Sequence, residues 1–136
     1  MKVIIAGSRI ITDYATVERA IKASGFPITE LVSGGARGVD RLGERWAREN
    51  RVPIKQFIPD WDRYGTRGPY HAGSVRNRAM ADYVGKEGGL IAVWDGTSPG
   101  TKNMVMEARL RQMRVFVLNV RTERLQREAQ YAATSG

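Results

Sequence analysis

Four short polar segments of this sequence carry residue types that bind phosphate groups. They are Gly7-Ser8-Arg9, Ser33-Gly34-Gly35-Ala36-Arg37-Gly38-Val39-Asp40, Asp60-Trp61 and Asp95-Gly96-Thr97-Ser98-Pro99-Gly100-Thr101. The second and fourth segments have the form of glycine turns that open helices, where free backbone N–H groups and the helix dipole attract an anion. Neither segment matches the GxGxxG dinucleotide fingerprint or the GxxxxGK[ST] pattern of P-loops. The sequence therefore predicts phosphate binding of a different kind.

The inventory of reactive side chains is short. The chain has 136 residues, no cysteine and one histidine, His71. This composition excludes a thiolate metal site and a cysteine nucleophile, and it argues against a histidine-built metal site or a Ser-His-Asp triad. We therefore expect no metal and no cofactor. Recognition would rest on backbone N–H groups and on guanidinium groups, whose planar fork suits phosphate.

The charge balance indicates an anionic partner. The chain has 22 lysines and arginines against 14 aspartates and glutamates, a formal net charge of +8. A nucleotide-like small molecule and a nucleic acid both satisfy this balance, and so does a solvated basic surface. No apolar run reaches the roughly 20 residues that a membrane helix needs, and the N-terminal apolar run is too short for a secretory signal. We therefore expect a cytoplasmic protein with no membrane partner.

Short apolar runs alternate with amphipathic segments, which is typical of βαβ units. Strands are predicted at residues 2–6, 29–33, 53–58, 89–94 and 114–119, and helices at residues 13–24, 38–50, 72–85 and 100–113. We predict an α/β fold, a three-layer Rossmann-like domain over residues 1–120 with a mostly parallel five-stranded sheet. A polar tail over residues 121–136 follows, with a short helix that frays. The polar segments would then share the carboxyl edge of the sheet, where such folds bind ligands.

Two of the helices carry informative faces. On the helix at residues 38–50, the periodicity places Glu44 on the solvent face. The helix at residues 100–113 has apolar residues on two faces, Met104, Val105 and Ala108 on one and Met106, Leu110 and Met113 on the other. One face would cover the sheet, and the other would either join a second copy or be buried more deeply. We expect a homo-oligomer formed through this helix.

Taken in order, these segments closely resemble the YspA-like branch of the SLOG superfamily. The resemblance rests on Gly7-Ser8-Arg9, the SGGARGxD segment that begins at Ser33, Asp60-Trp61 with Tyr64-Gly65, the AGxxRNxxM segment that begins at Ala72, and Pro99-Gly100-Thr101. The superfamily includes the LOG phosphoribohydrolases, the DNA-uptake protein DprA, and sensor domains proposed to bind NAD- or ADP-ribose-derived signals. The resemblance implies a Rossmann-like pocket for a nucleotide or a nucleotide-sugar phosphate.

The resemblance and the position at the sheet edge together predict a set of ligand contacts. The predicted ligand-binding residues are Gly7, Ser8, Arg9, Ser33, Gly34, Gly35, Arg37, Asp40, Arg76, Asn77, Gly96, Gly100 and Thr101. Arg37 would reach a phosphate or pair with Asp40, whereas Asp40 is expected to fix its loop by accepting backbone N–H bonds. Because Arg76 and Arg78 lie about 200° apart around a helix, we expect only Arg76 to face the pocket.

Aromatic residues and carboxylates complete the candidate site. The irregular stretch at residues 59–73 supplies two base-stacking candidates, Trp61 and Tyr64. The LOG enzymes carry a PGGxGTxxE pattern whose glutamate serves cleavage of the N-glycosidic bond, and Met104 stands at that position here. Catalysis would therefore have to use Asp95 or Glu107. We expect binding of a nucleotide-related, phosphate-bearing ligand, with hydrolysis of a nucleoside 5'-monophosphate and DprA-like nucleic-acid binding as open alternatives.

Overall fold

The computed structural model describes residues 1–135, and the side chains of residues 1–130. Its sheet contains β1 (Lys2–Gly7), β2 (Glu30–Ser33), β3 (Ile54–Gln56), β4 (Gly89–Trp94) and β5 (Arg114–Asn119). All the strand pairs are parallel, and the strand order is β3-β2-β1-β4-β5. The helices are α1 (Tyr14–Ser24), α2 (Val39–Glu49), α3 (Trp61–Tyr64), α4 (Ala72–Val84), α5 (Pro99–Leu110) and α6 (Val120–Ser135). The predicted three-layer α/β fold is confirmed.

Two apolar cores lie on opposite faces of the sheet because successive strand residues point to opposite sides. On one face, Ile4 and Ala6 of β1 pack with residues of α4 and α5, including Met80 and Met104. On the other face, Val3 and Ile5 of β1 pack with residues of α1 and α2. Strands buried on both sides explain the near-continuous apolar runs of the sequence.

The ends of the helices follow local rules. Asp13 caps α1 by accepting the Ala15 N–H, and Gly25 ends it in a left-handed conformation with φ of 68°. Helix α5 ends at Leu110, earlier than predicted, and Gln112 with φ of 59° turns the chain back toward the sheet. Met113 is consequently buried. The prediction that Met113 shares an outward face with Met106 and Leu110 was wrong, because that prediction extended the helix too far.

The predicted solvent position of Glu44 was also wrong. Glu44 is buried under β2 and β3, where it accepts hydrogen bonds from Ser33 Oγ at 2.6 Å and from Gln56 Nε2 at 3.0 Å. A polar side chain at this position looked solvent-facing from periodicity alone. Its hydrogen-bond partners come from two other elements, and they satisfy the carboxylate inside the fold.

The chain after β5 continues as α6, which is longer than the short helix predicted there. It contacts β5, and Glu123 pairs with Arg19 of α1 across the surface. No helix of residues 1–135 combines the length and apolar character needed to cross a membrane.

Candidate functional site

A crevice of about 600 Å³ opens at the carboxyl edge of the sheet, between β1 and β4. The strand order reverses between β1 and β4, so the connections that follow these two strands leave the sheet in different directions. Space therefore remains between them above the strand ends. The lining residues are Ala6, Gly7, Ser8, Arg9, Ile10, Ala36, Asp40, Trp61, Pro69, His71, Gly73, Ser74, Arg76, Asn77, Arg78, Met80, Ser98, Pro99, Gly100, Thr101, Asn103, Met104 and Met106. The crevice therefore combines apolar residues, including the buried Met80 and Met104, with buried and exposed polar residues.

Three residues tie the loops after β1 and β4 together at the base of the crevice. The buried Ser8 Oγ accepts the Asp95 backbone N–H at 3.0 Å and the Ser98 hydroxyl at 3.1 Å. Asp95 in turn accepts the N–H groups of Thr97 and Ser98. Burial acts to raise the pKa of Asp95, but the hydrogen bonds from Ser98, Thr97 and Ser8 outweigh it and lower the pKa to about 2. Asp95 thus organises the loop as a carboxylate.

The N-terminus of α5 presents unused donors to the crevice. Its N-cap residue, Ser98, makes no side-chain cap, and Pro99 occupies the first turn. Among the described residues, the backbone N–H groups of Gly100 and Thr101 have no hydrogen-bond acceptor. The Thr101 hydroxyl also has no partner, although the residue is only 5% exposed and lines the crevice. A helix terminus with free N–H groups and an unpaired hydroxyl that is accessible from the crevice is suited to an anion.

The glycine turn after β2 is built around two charged side chains, the buried Asp40 and the half-buried Arg76. Arg76 Nη1 donates to the Gly34 carbonyl at 2.7 Å, and Ala36 N–H donates to Asp40 Oδ2 at 3.1 Å. A Cβ on Gly34 would collide with the guanidinium of Arg76 and lie 2.9 Å from Oδ2 of Asp40. Burial raises the pKa of Asp40 to about 6 and lowers the pKa of Arg76. The expected loop-fixing role of Asp40 matches this geometry.

This turn uses the N–H groups of Gly35 and Ala36 within the protein, whereas those of Gly34, Arg37 and Gly38 have no acceptor among the described residues. Gly35 N–H donates to Ser33 Oγ at 3.1 Å, and Ala36 N–H donates to Asp40. Gly38, with φ of 77°, lets α2 approach the loop after β1, since a Cβ there would lie 2.6 Å from the Arg9 carbonyl oxygen. Of residues 33–40, Ala36 and Asp40 line the crevice. The turn shapes the crevice wall more than it offers donors.

Asn77 joins α4 to α5 beside the crevice. Its Nδ2 donates to Asn103 Oδ1 at 2.9 Å and to the Gly100 carbonyl at 3.3 Å, while its Oδ1 accepts Arg76 Nε at 3.0 Å. These bonds fix the first turn of α5 against α4. Asn77 and Arg76 therefore line the crevice as residues that are already hydrogen-bonded within the protein.

The loop at residues 59–73 forms the outer wall. Trp61, in the single-turn helix α3, stacks parallel to His71 with ring centroids 6.4 Å apart. His71 also caps α4 by accepting the Gly73 N–H at 3.1 Å. Trp61 lines the crevice and is 41% exposed, so one part of its ring system is accessible to a ligand. Tyr64 is exposed outside the lining, with Arg63 against its ring.

The remaining predicted arginines lie in different places. Arg9 lines the crevice, is exposed, and makes no hydrogen bond or ion pair with any described residue. Arg37 is also exposed without a partner, but it lies outside the lining. The ion pair of Arg37 with Asp40 that the sequence left open does not form.

The structure brings eight of the predicted ligand-binding residues to the crevice, and they are Gly7, Ser8, Arg9, Asp40, Arg76, Asn77, Gly100 and Thr101. Trp61 joins them as a stacking candidate. Outside the lining lie Ser33, Gly34, Gly35, Arg37, Gly96 and Tyr64. The two candidate catalytic carboxylates also lie outside it, since Asp95 is held in its loop and Glu107 is buried against Arg78 and Arg111.

Arg78 is the main lining residue that the sequence argument missed. Its angular separation from Arg76 around the helix predicts that Arg78 faces away from the crevice, yet both arginines line the crevice. Arg78 Nη2 donates to the Pro69 carbonyl at 3.0 Å, and its guanidinium lies 4.9 Å from the Tyr70 ring centroid. A long side chain can curl around its helix, so the direction of its Cα does not determine where its charge lies. The sequence signal that could have identified Arg78 was the AGxxRNxxM segment, which contains both Arg76 and Arg78.

Comparisons with known proteins bear on part of this site. A model of the family described as YAcAr, "YspA, cpYpsA-related SLOG family", matches residues 1–64. The "Gene 61 protein" of Mycobacterium phage D29 is 33% identical over 121 residues, which cover 79% of this chain and 88% of that protein. No solved structure matches the chain. The family match includes the loop after β1 and the glycine turn, and it ends before α4 and α5.

Proposed function

Because this chain belongs to the YspA, cpYpsA-related SLOG family, we propose that it binds a nucleotide-related small molecule through a phosphate group in the crevice at the sheet edge. The observation that carries the proposal is the first turn of α5. There Gly100 and Thr101, whose N–H groups are free, line the crevice, and the Thr101 hydroxyl is unpaired and accessible. Backbone donors at a helix start bind phosphate through directed hydrogen bonds and through the helix dipole.

The rest of the crevice suits the other parts of a nucleotide. Arg9 supplies a cation that is not neutralised by any described carboxylate. The floor of Met80, Met104 and Ala6 is apolar, as the walls of most small-molecule sites are. Trp61 offers an accessible indole ring at the outer wall, where a base can stack. The volume of about 600 Å³ lies in the range of small-molecule sites.

Binding is favoured over N-glycosidic hydrolysis by the state of the two candidate carboxylates. Hydrolysis needs a group that activates water or protonates the leaving base within hydrogen-bond reach. Asp95 accepts hydrogen bonds from Thr97 and Ser98, and its pKa near 2 makes it a poor acid and a weak base at neutral pH. Glu107 is paired with Arg111 and lies outside the lining. We therefore propose a binding module, active in the cytoplasm, whose ligand leaves unchanged.

The test begins with native mass spectrometry of the protein as purified, followed by isothermal titration with AMP, ADP and ADP-ribose. We expect micromolar binding of at least one of these compounds and no release of free base. Thr101→Val should weaken binding about tenfold to a hundredfold, because a hydrogen bond to a charged group contributes about 1.5–3 kcal/mol. Thr97→Val makes the same change at an exposed position outside the lining and should leave affinity within about twofold of wild type.

Two results would overturn the proposal. One is that none of the compounds binds. The other is that Thr101→Val binds as tightly as wild type. Release of free base from AMP, lost in Glu107→Gln, would instead establish the phosphoribohydrolase activity.

A single-stranded nucleic acid is the second candidate partner. It is favoured by the exposed side chains of the loop at residues 59–73, where Arg67 has no partner and Tyr64 and Tyr70 expose their rings. Arginines interleaved with aromatic rings are typical of single-strand binding surfaces. This reading predicts an affinity for oligonucleotides that falls steeply with salt and is lost in Arg67→Gln with Tyr70→Ala. Weak binding that is insensitive to those changes would exclude it.

A further inference from the structure

Glu107 of α5 and Arg78 of α4 form an ion pair that is not part of the proposed phosphate contact. Glu107 is only 5% exposed, and its Oε1 lies 3.5 Å from Arg78 Nε. Its Oε2 lies 2.7 Å from Arg111 Nη1, and Arg111 Nε lies 2.9 Å from Asp82. A buried carboxylate between two guanidinium groups restricts both of them. Glu107 therefore acts on the crevice through Arg78, which it holds in place.

The Arg78 guanidinium retains capacity for an anion. Its Nη2 donates to the Pro69 carbonyl, and its face lies against the Tyr70 ring. No described group accepts from Nη1. The shorter contact of Glu107 is with Arg111, so the charge of Arg78 is only partly balanced. Arg78 also lines the crevice, with 32% of its side chain exposed.

This cation is anchored away from the first turn of α5. Glu107 follows Thr101 by six residues, which corresponds to about 9 Å along the axis of an α-helix. Arg78 itself lies on α4 and donates to the Pro69 carbonyl of the outer wall, so its guanidinium and the first turn of α5 belong to different walls of the crevice. The two sets of donors therefore suit two anionic groups on one ligand better than they suit one.

We infer that Arg78, positioned by Glu107, is a second anion contact in the crevice, and that the site selects ligands carrying two linked anionic groups, such as a nucleoside diphosphate, over those carrying one. The inference rests on the proposed function, because the first anion lies at the start of α5. It extends that function by assigning the ligand class and by giving Glu107 a positioning role in place of a catalytic one.

The test compares ADP with AMP by isothermal titration in wild type and in four variants. Wild type should bind ADP at least tenfold more tightly than AMP. Arg78→Gln should remove most of that preference by weakening ADP binding much more than AMP binding, whereas Arg78→Lys should retain part of the preference. Glu107→Gln should reduce the preference severalfold, again by weakening ADP binding more than AMP binding. Arg63→Gln, which removes an exposed arginine from outside the lining, should change neither affinity.

The outcomes separate this inference from the proposed function. Equal affinity for AMP and ADP in wild type, or equal losses for both in Arg78→Gln, would overturn the inference and leave the proposed function standing. If neither nucleotide binds wild type, the inference fails, and the proposed function fails with it only if ADP-ribose does not bind either. Because a merely structural role of Glu107 would weaken AMP and ADP alike, parallel losses in Glu107→Gln would overturn its positioning role. Thermal unfolding of each variant identifies any that fail to fold. If Arg78→Gln does not fold, the ADP preference of Arg78→Lys is compared with that of wild type instead.

Discussion

The Arg76 guanidinium donates from Nη1 to the carbonyl oxygen of Gly34, 2.7 Å away, across 42 residues of sequence. This bond joins α4 to the turn after β2, and it closes one side of the crevice. Gly34 permits the contact because the guanidinium occupies the space that a side chain at this position would need. Arg76, which the sequence predicts as a phosphate contact, therefore uses one of its N–H donors in a hydrogen bond within the protein.

Replacement of Gly34 by alanine should therefore be destabilising. The added Cβ would collide with Arg76 and lie close to the buried Asp40, and a shift of the Arg76 guanidinium would break its hydrogen bonds to Gly34 and Asn77. Overpacking of this kind costs about 1–3 kcal/mol. Urea denaturation measures the change. Gly100→Ala is the matched control, since a Cβ there meets no atom within 4 Å, and it should unfold at nearly the wild-type urea concentration.

The buried Asp40 predicts a pH dependence of stability. Its pKa is raised from 3.8 to about 6 in the folded protein, mainly by burial, with Arg76 opposing and Glu44 adding to the shift. Between these values the folded state binds more protons than the unfolded state. The free energy of unfolding contributed by this group therefore falls as pH rises from about 4 to 6, by about 3 kcal/mol in total.

Comparison of wild type with Asp40→Asn isolates this contribution. The difference in unfolding free energy between the two proteins should change with pH across that window and become constant above about pH 7. Denaturant titrations at half-unit pH steps would measure it. A difference that stays constant from pH 4 to 7 would show that Asp40 titrates in the folded protein as it does in the unfolded chain.

The outward face of α5 predicts self-association, which we propose on the exposure of its apolar residues. Leu110 is 70% exposed and Met106 is 50% exposed, and they lie beside a second, largely apolar groove of about 700 Å³. Burying a leucine contributes about 1.5–3 kcal/mol per copy. Light scattering should therefore find a dimer in wild type and a monomer in Leu110→Asp.

A matched control exists on α6, where Leu125 is 51% exposed. Leu125→Asp should leave the mass in solution unchanged if α5 forms the contact. A monomeric wild type at about 100 µM, which is far above the dissociation constant of a stable dimer, would contradict the prediction.

Most elements of this fold could be predicted because each depends on local sequence and on its own apolar pattern, whereas the single-turn helix α3 was not predicted. Asp13 caps α1, and the apolar run of β4 indicates a strand buried on both faces. The placement of the loops after β1 and β4 at one edge also followed, since parallel strands with helical crossovers bring their carboxyl ends together. Ser8, Arg9 and Thr101 were identified in this way.

The tertiary structure decided the partners of the charged side chains. Periodicity placed Glu44 in solvent and Arg78 away from the crevice. The positions of these charges are determined instead by partners on other elements, which are Ser33 and Gln56 for Glu44 and Glu107 for Arg78. Long side chains reach several directions from one Cα, and buried charges settle where other elements supply donors or acceptors. The sequence by itself therefore determined the sheet edge at which the proposed phosphate site lies. Only the packing of α4 and α5 decided which arginines keep unpaired donors there.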